Sequence, residues 1–276
     1  VAAAAASNAL RITGKKIEEI RVVALGAGAA GIACLKMLKV MGVKPENILM
    51  LDSKGVVHKS RNNLTEEKIE FARDTPLRTA EEALEGADLF LGVSGPGLLT
   101  AEMVAKMAKS PIIFALANPT PEIMPDEARR GAPDALIATG RSDFPNQVNN
   151  VLCFPFIFRG ALDVGATEIN DEMKLACVEA IAELARRTAS AELGQAYQGE
   201  RLAFGADYLI PKPFDPRLLP TIALAVAKAA MESGVATRPV DLDAYEKNLQ
   251  GQVFRSFGVM RRVFDAARAA KRRVAF

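Results

Sequence analysis

Gly26-Ala27-Gly28-Ala29-Ala30-Gly31 stands directly behind the apolar run Val22-Val23-Ala24-Leu25, and an acid, Asp52, follows 21 residues after Gly31. In a G-x-G-x-x-G turn the first glycine allows a tight exit from a strand. The second lets the backbone approach a pyrophosphate, and the third lets the next helix pack close to the sheet. The helix opening there would aim free amide N–H groups at the phosphates, reinforced by its dipole. An acid ending the second strand would hold the adenosine ribose hydroxyls. This spacing predicts a dinucleotide site built from Gly26, Gly28, Ala29, Ala30, Gly31 and Asp52, with a packing motif that binds nothing as the alternative. Around Asp52 the signals conflict: the carboxylate suits a free 2'-hydroxyl, whereas Ser53, Lys54, His58, Lys59 and Arg61 suit a 2'-phosphate or form a charged loop.

Other chemistry is thinner. His58 is the only histidine, so a His-rich metal site is excluded and a Ser-His or Cys-His pair would have to use that one residue. Cys34, Cys153 and Cys177 are far apart in apolar stretches, which argues against a disulfide framework; Cys153 in "VLCFPF" reads as core packing. Glu122, Asp126 and Glu127 in "PEIMPDEARR" read as the first turn of a helix, where acids suit the dipole, rather than as a metal cluster.

These residues need a scaffold, and the chain supplies one. Of 276 residues half are apolar, enough for a large core, and the 35 basic and 33 acidic side chains are interspersed to a net charge of +2. That pattern gives no sign of a nucleic-acid or membrane field, and no run approaches the ~20 apolar residues of a membrane span. Cysteine usage fits a reducing, cytoplasmic setting. The start reads as an Ala-rich helix with no signal peptide. Short apolar runs at Arg21–Leu25, Asn47–Asp52, Ala87–Val93, Pro111–Leu116 and Ala135–Thr139 alternate with helical patterns near 30–42, 64–73, 100–109 and 122–130. Such alternation predicts a doubly wound α/β domain with a parallel sheet covered on both faces. From Asn170 the pattern is helical: one helix opens at "NDEMKLACVEAIAELARR", a second follows "PKPFDPR" and ends at Gly234, and "MRRVFDAARAAKRR" reads as a solvated basic face.

"RVVALGAGAAGIACLKMLKVMG", "LDSKG", "LGVSGPGLLTAEMVAKMAKSPIIFALANPTPEIMPDEA" and "NQVNNVLCFPFIFRGALD", in that order, resemble the NAD(P)-binding domain of malic enzymes. "ADYLIPKPFDPRL" resembles the bacterial hybrid type, in which a phosphotransacetylase-like domain follows, and "KRRVAF" looks like the first strand of that domain. The resemblance implies a Rossmann-type domain over residues 1–190 and a helical extension over 191–276. It also implies oxidative decarboxylation of (S)-malate to pyruvate and carbon dioxide, NADP or NAD as cofactor, Mg or Mn in the intact enzyme, and a homo-oligomer. By motif match Gly28, Ala29, Ala30 and Gly31 would meet the pyrophosphate and Asp52, Ser53 and Lys54 the adenosine end. Val93 and Ser94 would lie towards the nicotinamide, Asn118 would hold the nicotinamide ribose or malate, and Asn149 and Asn150 would face the substrate, Asn150 directly. Asn118 alone would otherwise read as a turn residue before Pro119, and Asn149 and Asn150 as loop caps. The family's acid Tyr, base Lys and three metal carboxylates have no matching motif here, and Tyr197, Tyr208 and Tyr245 fall outside any. The chain is therefore expected to lack catalytic and metal residues of its own. A different NAD(P)-dependent dehydrogenase, or a nucleotide-sensing or oligomerisation module, remains the competing expectation.

Overall fold

The computed structural model describes residues 1–189, 193, 194, 197 and 202–253. They divide into two compact units, one of Val1–Leu152 with Ile181–Pro213, the other of Cys153–Ala180 with the described residues from Phe214 onward.

The first unit is built on a six-stranded sheet: β1 (Val22–Leu25), β2 (Ile48–Asp52), β3 (Gly55–Val56), β4 (Leu89–Gly92), β5 (Ile112–Ala115) and β6 (Leu136–Thr139), in the order β3-β2-β1-β4-β5-β6. All five strands predicted from the apolar runs are present and pair in parallel, with Val22 opposite Ile48 and Leu89, Leu89 opposite Ile112, and Ile112 opposite Leu136. The exception to parallel pairing is β3, a two-residue antiparallel edge strand that the sequence reading missed. It turns back at Gly55, whose φ is +92° and whose absent Cβ would lie 2.2 Å from the Arg78 carbonyl oxygen, so only glycine fits.

Strands β4, β5 and β6 are buried at every residue, as expected of a sheet covered on both faces. Val23, Leu51, Phe90, Ile113 and Ile137 pack there with Leu84 and Val104 from the covering helices. Each such Leu, Ile or Phe contributes about 1.5–3 kcal/mol by leaving water. The covering helices are α1 (Ala2–Thr13), α2 (Ala29–Val40), α3 (Glu66–Ile69), α4 (Ala80–Leu84), α5 (Ala101–Ala105) and α6 (Pro125–Gly131). The expected Ala-rich helix is α1, where Ala4, Ala5 and Ala9 are completely buried because methyl side chains let backbones come close. Its Asn8, also completely buried, donates to the carbonyls of Ala182 and Leu209 and accepts from Arg186, so no polar atom is stranded.

Several helices differ from expectation. The pattern near 64–73 yields only the single turn α3. Beyond it Phe71 is completely buried and Arg73 bridges to His58, which pulls the chain into an extended path. The helix expected from 122 starts at Pro125 instead, because proline leaves Met124 extended (φ −75°, ψ 144°) and then sets the first helical φ. Helix α4 was unread, although Thr79 and Glu82 form a capping box at its start.

In the second unit α7 (Phe154–Asp163) packs on α9 (Leu218–Glu232). The crossing is close at Gly160, where a Cβ would lie 2.5 Å from the Ala223 carbonyl oxygen. Helix α8 spans Asp171–Arg186, of which Asp171–Ala180 belong to this unit and Ile181–Arg186 to the first, and residues 242–253 are helical. Tyr245 donates to Asp163, which Arg159 also contacts; burial and that acceptor push the Tyr245 phenol well above its usual range. The basic stretch 260–273 and the terminal strand expected at "KRRVAF" lie outside the described residues.

Candidate dinucleotide site

Strands β1, β4, β5 and β6 run in parallel, so the loops leaving their carboxyl ends share one edge of the sheet. The order reverses between β1 and β4, which is where open α/β sheets bind ligands.

The three glycines of the motif separate into two roles. Gly26 has φ +125°, and a Cβ there would lie 2.7 Å from the Val93 carbonyl oxygen; a Cβ on Gly31 would lie 1.9 Å from the Gly26 carbonyl oxygen. Both are glycine because backbone meets backbone. Gly28 is different, since its conformation is extended and a Cβ would meet nothing within 4 Å. Packing therefore accounts for the outer two glycines and not for the middle one, whose bare backbone is where a pyrophosphate would approach. Gly28 is the N-cap of α2 without a side-chain cap, and Ala29 and Ala30 in its first turn are exposed, so the positive end of the helix dipole is left to an anion.

Asp52 ends β2 as expected, but its oxygens are already engaged. Oδ1 accepts from Arg61 Nη1 at 2.9 Å and the Lys54 amide at 2.9 Å, and Oδ2 accepts from Arg61 Nη2 at 2.9 Å and Lys68 Nζ at 2.8 Å. Burial opposes its ionisation, yet the hydrogen bonds from Arg61, Lys68 and the Lys54 amide outweigh that and hold the carboxyl far below the usual carboxylate range. Four donors fill the carboxylate's four lone-pair directions, which leaves none for ribose hydroxyls in this arrangement. Ser53, Lys54 and Lys59 are exposed beside it. His58 Nδ1 lies 2.7 Å from the Ser60 hydroxyl, and desolvation together with the Arg78 and Arg61 charges lowers its pKa, so it adds little positive charge at neutral pH.

Val93 and Ser94 follow β4, Val93 half-buried and Ser94 exposed; Asn118 follows β5, exposed and joined to Pro119 by a cis peptide. A residue that sequence reasoning set aside joins these loops. Glu122, read as part of a helical turn, precedes α6 and is completely buried. Its Oε1 accepts from the Ser94 amide at 2.9 Å and its Oε2 from the Ala117 amide at 3.1 Å, one step before Asn118 in the chain. Asp126 and Glu127 do lie in the first turn of α6. Arg141, also unread, donates to the Pro119 carbonyl oxygen at 3.2 Å and pairs with Asp143, which connects the β5 loop to the β6 loop.

The "NQVNN" stretch continues from β6. The Val148 amide donates to the Thr139 carbonyl at 2.8 Å, so Asn149 and Asn150 come beyond the same carboxyl edge. Asn146, at φ +58° and 4 % exposed, donates to the Ile137 and Ala206 carbonyls and accepts from the Leu209 amide. Asn149 Oδ1 accepts from the Val151 amide at 3.0 Å, which is the loop-capping role; Asn150 is exposed at the start of the turn Asn150–Leu152. Thus Gly26–Gly31, Ser94, Asn118 and Asn150 all belong to loops on one edge. A cavity of about 420 Å³ lies elsewhere, lined by Arg21, Val22, Glu46, Asn47 and Arg73 at the amino ends of β1 and β2, and holds none of the motif residues. Cys153, read as core packing, is half-buried with its sulfur 3.4 Å from that of the buried Cys177. Among the described residues no group of three His, Cys, Asp or Glu side chains could hold a metal ion, and no helix is long and apolar enough to cross a membrane.

A glycine turn opening a helix at the switch point of a doubly wound sheet defines a dinucleotide-binding domain. The family described as "Malic enzyme, NAD binding domain" matches residues 1–197. An NADP-dependent malic enzyme of Haemophilus influenzae is 58% identical over 99% of this chain and 37% of its own length. An NAD-dependent malic enzyme of Rhizobium meliloti is 57% identical over 100% of this chain and 36% of its own. The crystal structure of malic enzyme from Pyrococcus horikoshii superposes with a TM-score of 0.83 at 34% identity, covering 98% of this chain and 61% of that one. The chain belongs to the malic enzyme NAD-binding domain family. It spans little more than a third of the length of these curated relatives.

Proposed function

We propose that this chain forms the NADP-binding part of an enzyme that oxidatively decarboxylates (S)-malate to pyruvate and carbon dioxide. The reading is carried by one observation: the glycine turn, the Ser94 and Asn118 loops and the "NQVNN" turn leave the sheet at a common edge. When bound, the nicotinamide supplies the acceptor for the hydride of malate C2. The amides of Gly28 to Gly31 hold the pyrophosphate, and Val93 and Ser94 border the nicotinamide end. Asn118 and Asn150 orient the ribose and the substrate carboxylate, their amides donating without adding charge. Asn149 supports Asn150 by capping its turn.

NADP is favoured over NAD because Asp52 has its oxygens filled and carries two cations, while Lys54 and Lys59 stand exposed next to it. A 2'-phosphate would meet net positive charge there, whereas a free 2'-hydroxyl would find no acceptor. The acid, base and Mg or Mn ligands of the reaction are not assigned to this chain. Residues 1–190 serve as the cofactor domain and 191–276 as its extension, within a cytoplasmic homo-oligomer acting on malate.

Calorimetric titration with NADP and NAD tests the reading. NADP binds more tightly, and Lys54→Ala with Lys59→Ala weakens NADP at least tenfold while leaving NAD unchanged. With malate, Mn and NADP the 276-residue chain alone forms no NADPH. Failure to bind either nucleotide overturns the proposal.

A further inference from the structure

Cys153 and Cys177 stand 24 residues apart in the chain, yet their sulfurs lie 3.4 Å from one another. Cys153 is the N-cap of α7, and Cys177 lies in the middle of α8. The two thiols differ in access, Cys153 being half-buried and Cys177 only 2% exposed. They differ in chemistry as well. A hydrogen bond from the Cys177 thiol, opposed by burial, brings Cys153 down to about 7, and the same contact together with burial pushes Cys177 up. The positive end of the α7 dipole favours the same thiolate. An accessible thiolate with a second thiol directly behind it is the arrangement of an attacked and a resolving cysteine.

We propose that Cys153 and Cys177 form a reversible oxidation site at which a peroxide converts the thiol pair into an intramolecular disulfide. The Cys153 sulfur attacks one peroxide oxygen, the O–O bond breaks, and the departing hydroxide takes a proton to become water, leaving a sulfenic acid. The Cys177 sulfur then attacks the Cys153 sulfur and the S–O bond breaks. The leaving hydroxyl combines with the Cys177 proton as a second water. Two thiols lose two electrons and two protons, and hydrogen peroxide is reduced to two waters. A dithiol reductant reverses the bond by exchange. The sulfurs need to approach by about 1.4 Å to reach the disulfide distance. Because Cys153 directly follows the Asn150–Leu152 turn, the bond would anchor the residue where that turn ends.

Cys34 is the internal control, since burial raises its pKa and lowers its thiolate fraction. The 276-residue chain is treated with hydrogen peroxide, unfolded, alkylated and digested with trypsin. The expected product is a linked pair of peptides, SDFPNQVNNVLCFPFIFR and LACVEAIAELAR, about 2 Da lighter than the two reduced peptides together, with Cys34 still alkylated. Dithiothreitol restores both alkylation sites. Cys177→Ser should let Cys153 advance to sulfinic acid, and Cys153→Ser should leave Cys177 reduced. The proposal is overturned if the linked pair is absent from the wild-type chain, if Cys153 over-oxidises there as readily as in the serine variant, or if Cys177 oxidises without Cys153.

Discussion

Replacing Glu122 by glutamine should loosen two loops at once. The carboxylate is completely buried, and each oxygen accepts one backbone N–H, from Ser94 at 2.9 Å and from Ala117 at 3.1 Å. Glutamine keeps one oxygen and sets an NH2 against the other amide, so one buried donor loses its acceptor and faces a second donor. An unsatisfied buried donor costs about 1–3 kcal/mol, and alanine, which removes both acceptors, should cost more, though less than double because the Ser94 bond is only partly buried whereas the Ala117 bond is buried. Shape is a separate matter from hydrogen bonding. A Cβ on Gly92 would lie 2.4 Å from Glu122 Cδ, so the side chain also fills the space that the missing methyl leaves. Urea unfolding monitored by circular dichroism gives the stability change, and NADP calorimetry under native conditions gives the effect on the loops. Glu122→Gln should lower the unfolding midpoint and weaken NADP about tenfold, equivalent to about 1.4 kcal/mol. A variant with the wild-type midpoint and the wild-type affinity would refute the view that this carboxylate holds the Ser94 and Asn118 loops together.

The glycine motif gives a paired prediction. Gly28→Ala should leave the melting temperature within about 2 °C, because its Cβ meets nothing. It should nevertheless weaken NADP at least tenfold, and the bulkier Gly28→Val should abolish binding in the same calorimetric assay. Gly31→Ala should lower both stability and affinity, since its Cβ would lie 1.9 Å from the Gly26 carbonyl oxygen. Asp52 predicts a pH effect whose sign follows from its lowered native pKa. Its contribution to stability is complete well above the unfolded value of about 4 and fades as pH falls through that value towards the lower native one. Wild type should therefore exceed Asp52→Asn in unfolding free energy at pH 7, with the gap narrowing below about pH 4. A gap independent of pH would contradict the Arg61 and Lys68 pairing.

Much of this was legible in local sequence. The five continuous apolar runs became the five parallel strands because a strand covered on both faces needs a near-continuous run of apolar residues, and the helix-length spacers between the runs set them in parallel. The glycine turn was legible for the same reason, since close backbone contacts admit only glycine at Gly26 and Gly31. Contacts made across the chain were not legible. Nothing near Asp52 announces Lys68, 16 residues on, as its partner. Glu122 sits among residues that suit a helical turn, and its partners Ser94 and Ala117 come from two different loops. Asn146 takes a left-handed φ that one residue type cannot signal. The Cys153 and Cys177 contact depends on how α7 and α8 meet. One omission was readable, because Thr79 and Glu82 have the spacing of a capping box and do start α4.

On the proposed function a dinucleotide lies along the carboxyl edge, from the glycine turn to the asparagine loops. Backbone amide NMR during NADP titration measures this directly. The resonances of Gly28 to Ile32, Ser53, Lys54, Ser94, Asn118 and Asn150 should shift together in saturable fashion. Shifts confined to Arg21, Asn47 and Arg73 around the cavity at the opposite edge, with Gly28 unmoved, would contradict it.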